Sequence, residues 1–177
     1  MTPDELSQLR QLIDKQAIYE VLARYVRAID RCDEVLLRSV FHDDAVDNHS
    51  GECRSADEFC AAALQMVRAM GPTAHYFSFP LIELHGDTAL SECYAIAFHR
   101  VRKNDEWFES IFGARVLDRF ERREGIWKIA HRRVVYDWNR DTPVRQSWGK
   151  GFFGYGFGPE GRKDAEDPLY GLVSRGR

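Results

Sequence analysis

The stretch SADEFCAAALQMVRAMGPTAHYF, residues 55–77, is where the chain changes its period, and its two halves read as different structures. Ser55, with Glu58 three residues later, has the form of a capping box, in which hydroxyl and carboxylate satisfy the free amides of a helix start. The apolar run from Phe59 to Met70 then carries a helix, and Gly71-Pro72 stops it because proline lacks the amide that would extend the ladder. From Thr73 onward the residues are aromatic and β-branched, punctuated by turn signals at His85-Gly86-Asp87, Lys103-Asn104-Asp105 and Arg123-Glu124-Gly125. Four long strands in a meander are expected there.

Upstream of this junction the chain is helical. Thr2-Pro3-Asp4-Glu5 combines a capping hydroxyl, an early proline and a glutamate placed to reach back. Leu6, Leu9, Ile13, Ala17, Val21, Tyr25 and Ile29 recur at spacings of three and four, which gives one apolar stripe along a long helix. Asp33 caps a second, short helix from Glu34 to Val40, and Ala45 to His49 reads as a strand. Helices first and antiparallel strands later define an α+β class, with a curved antiparallel sheet wrapped as a cone around the N-terminal helices. Residues 1–138 form the expected domain. Residues 139–177, rich in glycine, charge and scattered aromatics, are expected to be irregular: a pocket lid, a clasp on a neighbouring subunit, or disorder.

Composition narrows the function classes. A 177-residue chain with 44% apolar and 30% charged residues and a net charge of −3 has the profile of an ordinary globular protein, with a core large enough to enclose a pocket. No run approaches the roughly 20 apolar residues of a membrane span, and the first residues lack a secretion-signal layout, so a cytoplasmic protein without membrane contact is expected. Cys32, Cys53, Cys60 and Cys93 form no Cys-x-x-Cys pair and read as reduced thiols. His42-Asp43-Asp44 and His49 offer possible metal donors without a recognised spacing, so no metal is expected. The aromatic-glycine segment from Lys150 to Gly158 lacks the ending of an RNA-binding strand, and the acidic balance also argues against nucleic acid. No nucleophile elbow or phosphate loop is present.

What remains is acid/base chemistry, and three residues stand out for it. Asp30 ends the long helix, where the carbonyl end of the dipole repels a carboxylate and a hydrogen-bond donor is needed beside it. His75 opens the first long strand; facing the helix, it would meet Asp30, which would fix its tautomer and leave the other nitrogen as a base. In the last strand, alternation puts Ile129, His131 and Arg133 on one face and Lys128, Ala130, Arg132 and Val134 on the other, so an inward Ala130 brings Arg132 into the pocket.

The chain from about Asp14 to Trp138 resembles the SnoaL-like, scytalone-dehydratase-like branch of the nuclear transport factor 2-like superfamily. Three segments carry the likeness: Tyr25 to Arg31 with Phe41 to Ala45; Thr73-Ala74-His75-Tyr76; and Leu117 to Ile129 running into Arg132. The resemblance implies a cystatin-like α+β barrel, no cofactor, and a small apolar cyclic ligand. By that resemblance Asp30 and His75 fall on the catalytic dyad of the bile-acid dehydratase and hexachlorocyclohexane dehydrochlorinase of this branch, and Arg132 on their pocket arginine. Tyr25 matches the dehydratase, which favours an oxygenated substrate. The dehydratase's further pocket aspartate has no clear counterpart, and Glu92, Tyr94 and His99 are the substrate-contact candidates in that region. The implied activity is a cofactor-independent lyase eliminating water from a cyclic or polycyclic hydroxy-ketone or enone. Isomerase, polyketide cyclase and non-catalytic small-molecule-binding module are the alternatives. A homo-oligomer is implied, as a trimer or else a dimer.

Overall fold

The computed structural model describes residues 1–49, 51–144, 154 and 156–173. Most of the Lys150–Gly158 segment, with Trp148, lies outside the described residues. Helix α1 spans Pro3–Arg31, α2 Glu34–Ser39 and α3 Ala56–Ala69; the strands are β1 Phe41–Asn48, β2 Cys53–Ser55, β3 Thr73–Phe77, β4 Leu81–His85, β5 Thr88–Lys103, β6 Glu106–Arg123 and β7 Ile126–Pro143; helix α4 is Pro168–Val173. This is the expected α+β class, with helices against one face of a curved, unclosed sheet.

The local signals act as their chemistry requires. Both capping boxes form: Thr2 with Glu5 opens α1, and Ser55 with Glu58 opens α3. Asp33 Oδ1 accepts from the Leu36 amide at 3.0 Å to open α2. The β5–β6 turn has positive φ at Asn104 and Asp105, and the β6–β7 turn at Glu124 and Gly125, the pattern of tight turns whose twist matches the flanking strands.

Four features depart from the sequence-based expectation. The sheet is mixed, because β1 runs parallel to β7 while the other pairings are antiparallel. The first of the four expected long strands is split. β3 pairs with residues 95–99 of β5 and β4 with residues 88–92, separated by a kink at Ser78-Phe79-Pro80, where proline offers no amide and the Ser78 hydroxyl accepts from the Tyr94 amide at 2.9 Å. The first half of α1 stands clear of the core: Leu6, Leu9, Leu12 and Ile13 are exposed, and burial begins only at Ile18. Finally, β7 continues through Asn139 to Pro143, and the end of the chain carries α4.

That end folds back on its own chain. Lys163 Nζ donates to the carbonyls of Val67 and Gly71, both at 2.7 Å, and to Met70 at 3.3 Å, capping α3. Asp167 meets Arg31 at 3.4 Å, and the Tyr170 hydroxyl donates to Asp33 at 2.9 Å. The tail therefore braces the C-terminal ends of α1 and α3. The core lies between these helices and the inner sheet face, around Ile18, Leu22, Leu37, Phe41, Leu64, Phe120 and Ile129.

Candidate active site

Beside this core lies a partly open cavity of about 240 Å³, lined by α1, α3 and the inner face of β3, β5, β6 and β7. Tyr25, His75 and His99 line it, with apolar walls from Ile29, Val67, Met70 and Phe112. Among the described residues no cluster of three or more histidine, cysteine or acidic side chains is arranged to hold a metal ion.

Asp30 sits behind His75 rather than in the cavity wall. Its Oδ1 lies 2.8 Å from His75 Nδ1 and accepts from the Thr73 hydroxyl at 3.0 Å, while Oδ2 accepts from the His75 amide at 2.9 Å. The need for donors at the end of α1 is thus met by the opening of β3, where Gly71-Pro72 has just turned the chain. Burial raises the Asp30 pKa, but the bonds from His75 and Thr73 outweigh it and hold the carboxyl below its ordinary value. An ionised Asp30 on Nδ1 keeps the imidazole proton there and leaves Nε2 with its lone pair. At His99, 5.0 Å from the His75 ring and stacked on Phe112, burial with the nearby His75 pushes the pKa down to about 4, so this imidazole is neutral.

Arg132 is fully buried but does not line the cavity. Its Nε and Nη2 donate to the two oxygens of Asp118 at 2.8 and 2.7 Å, and its guanidinium carbon lies 3.9 Å from the centre of the Tyr25 ring. Burial works against its charge, and Asp118 more than restores it, so the guanidinium stays ionised. Strict alternation fails here. Phe120 pairs with Ile129 but Arg119 pairs with His131, so Ala130 is an extra residue, a β-bulge. Ile129 and Arg132, expected on opposite faces, consequently both face inward. Tyr25 is the layer between this cation and the cavity. Burial raises its hydroxyl pKa, with Arg132 opposing, so it is a proton-bearing donor at ordinary pH.

Glu92 and Tyr94 are not in the cavity. On β5 the inward positions are Ala89, Ser91, Cys93, Ala95, Ala97 and His99, so Glu92 and Tyr94 stand on the outer face, Glu92 beside Arg115 and Tyr94 64% exposed. Of the three substrate-contact candidates only His99 is inside. The inward acids are instead Asp118 and Asp47, 2% and 1% exposed, each a register neighbour of Arg132. Sequence reasoning missed both. An acid on the apolar alternation Val116-Asp118-Phe120, opposite an inward arginine, is the signal that would have found the first.

A curved, unclosed sheet packed on helices, with a partly open, mostly apolar pocket and a carboxylate-anchored histidine in its wall, defines a class of small pocket proteins. The chain belongs to the SnoaL-like domain family, whose model matches residues 10–133. Among solved structures it is similar to a hexachlorocyclohexane dehydrochlorinase of type 2, with 20% identity over 84% of this chain and 99% of that one and a TM-score of 0.70. A scytalone dehydratase-like protein from Novosphingobium aromaticivorans shares 20% identity over 76% of this chain and 91% of its own, with a TM-score of 0.67. A cystatin-like protein from Nostoc punctiforme shares 20% identity over 71% and 92%, with a TM-score of 0.59. At these identities the likeness is one of fold. No curated protein matches the chain in sequence.

Proposed function

We propose that this protein is a cofactor-independent lyase of dehydratase type, acting on a small cyclic hydroxy-ketone. The observation that carries the reading is the hydrogen bond of His75 Nδ1 to Asp30, with both oxygens of Asp30 held by further donors. It leaves one basic nitrogen in an apolar pocket, the arrangement a general base requires. His75 removes a proton made acidic by the carbonyl, Tyr25 donates to the developing enolate oxygen, and the C–O bond of the hydroxyl then breaks as that group takes up a proton and leaves as water. Arg132 acts through the Tyr25 ring as a fixed positive charge. The cavity lies below the roughly 300–1,000 Å³ of drug-sized sites, which favours one or two rings over a larger polycycle.

The test is turnover. Purified protein is mixed with β-hydroxycyclohexanone and its benzo-fused and steroidal analogues, and enone formation is followed by ultraviolet absorbance. His75→Ala and Asp30→Asn are expected to lower kcat by about 10²–10⁴-fold with the fold unchanged. Tyr25→Phe is expected to cost roughly 3–4 kcal/mol of transition-state stabilisation. Near-wild-type turnover in both dyad variants would sink the mechanism, and tight ligand binding without turnover would mark a binding module instead. A shift of a double bond without water loss would mark an isomerase. The proposal includes a homo-oligomer, for which the outer sheet face supplies the apolar surface.

A further inference from the structure

A second histidine–carboxylate pair borders the same cavity. His49, just beyond the end of β1, lines it, and its Nδ1 lies 3.2 Å from Oδ1 and 3.4 Å from Oδ2 of Asp47. Its ring is stacked on Phe59 of α3, with centroids 4.8 Å apart and planes at 23°, so the imidazole is fixed on two sides. Asp47 is 1% exposed, and a buried carboxylate is stable only with a partner. Its inward register neighbour Arg132 already spends Nε and Nη2 on Asp118. The row Asp47, Arg132, Asp118 thus places two carboxylates beside one guanidinium, and the His49 ring is the further polar group that reaches Asp47.

Position supplies the second half of the argument. The sheet order β2-β1-β7-β6-β5-β3 puts β1 and β3 on opposite sides of β7, β6 and β5, so His49 and His75 approach the cavity from opposite walls of the curve. His99 cannot serve as a second acid, because it shares the wall of His75 and burial keeps it neutral.

We propose that His49, oriented by Asp47, is the acid that protonates the departing hydroxyl, so that base and acid act from opposite faces of the substrate. This rests on the dehydratase reading. The balance closes without any co-reactant. His75 Nε2 takes the α-proton, the C–H pair becomes the new C=C bond, the C–O bond breaks, and a proton from His49 Nε2 completes water. Solvent returns both imidazoles to their starting states. A dyad working alone would return its own proton on the same face and give syn elimination; the two-wall arrangement gives anti elimination. His49 is catalytic in this scheme and Asp47 is a positioning residue.

The experiment uses the full chain, β-hydroxycyclohexanone and its benzo-fused analogue, and the matching β-acetoxy compounds, whose leaving group needs no proton. His49→Gln is expected to lower kcat on the hydroxy compounds by about 10²-fold or more with KM little changed, and Asp47→Asn by about tenfold. On the acetoxy compounds the His49→Gln loss should shrink to within a few-fold while the His75→Gln loss persists. α-Deuterated substrate should lose the hydrogen trans to the leaving group. His49→Phe, which keeps the stack on Phe59, supplies the same comparison where the glutamine variant does not fold. Equal losses on both leaving groups, unchanged hydroxy turnover, or syn elimination overturns the assignment of His49 while leaving the His75 dyad standing. Absence of turnover by the wild-type protein overturns the dehydratase reading and this assignment together.

Discussion

His99, in the pocket wall, and Asp30, behind it, both make the protein less stable in acid, in successive pH windows. Unfolded histidine titrates near pH 6.5, whereas folded His99 stays neutral down to about 4. Between these values the unfolded chain binds the proton and the folded one does not, so stability falls as pH drops through the window, by on the order of 3 kcal/mol. Asp30, with its pKa lowered, adds a further loss as pH falls below the ordinary carboxylate value. The melting temperature should therefore decline from about pH 6.5 to pH 5, and His99→Phe should flatten that slope; equal slopes would show that His99 is not held neutral. Arg132 is tested differently. Arg132→Met leaves Asp118 buried without its cation and should cost roughly 3–5 kcal/mol in urea unfolding, with part recovered by adding Asp118→Leu. The sequence showed Asp30 and His75 because a carboxylate at a helix end demands donors and a strand histidine can supply them. It did not show how Arg132 is used, because its partners Asp118 and Asp47 lie on other strands and meet it only through the sheet register.

Capping boxes, turns and helix α3 were legible because each depends on residues within four positions. The parallel docking of β1 on β7 and the splitting of β3 from β4 were not, since both depend on partners more than ten residues away. The same distinction explains the tail, whose composition reads as irregular although Lys163 supplies the far cap of α3. Helix α3 is consequently held at both ends, by Ser55 and Glu58 at its start and by the ammonium at its last carbonyls. Ser55→Ala should cost about 1 kcal/mol. Lys163→Met removes charge-assisted bonds to three carbonyls and should cost roughly 1.5–3 kcal/mol. Because α3 carries Phe59, Ala63 and Val67 into the cavity and ends at its C-cap Met70, which also lines it, the second variant should also loosen ligand binding, readable as a higher KM. Urea midpoints unchanged from wild type would remove the tail from any bracing role.

For the molecule as a whole, the outer face of the sheet decides whether one chain can stand alone. Tyr76 of β3 pairs with Ile96 of β5, Ile96 with Gly113 of β6, and Gly113 with Trp138 of β7, so the register draws a single row across four strands. All three large members are exposed, at 65% for Tyr76, 48% for Ile96 and 51% for Trp138, and Phe79, Leu81 and Tyr94 extend the surface alongside them. Gly113 is part of the design of this row. A Cβ there would run into the Trp138 indole, so only glycine lets the ring lie flat against the sheet. Contiguous apolar surface of this kind is what monomers avoid and what symmetric assemblies cover. The protein should therefore sediment as a homo-oligomer, a trimer or a dimer, at micromolar concentration. Ile96→Glu with Tyr94→Lys should shift it toward the monomer by placing charges where a partner packs. Since the dyad and the cavity walls described above all come from one chain, the dissociated variant should keep its inner pocket and, with a convertible substrate, most of its turnover per subunit. A wild-type protein that sediments as a monomer across all concentrations would leave the apolar row without a covering partner and would refute the assembly.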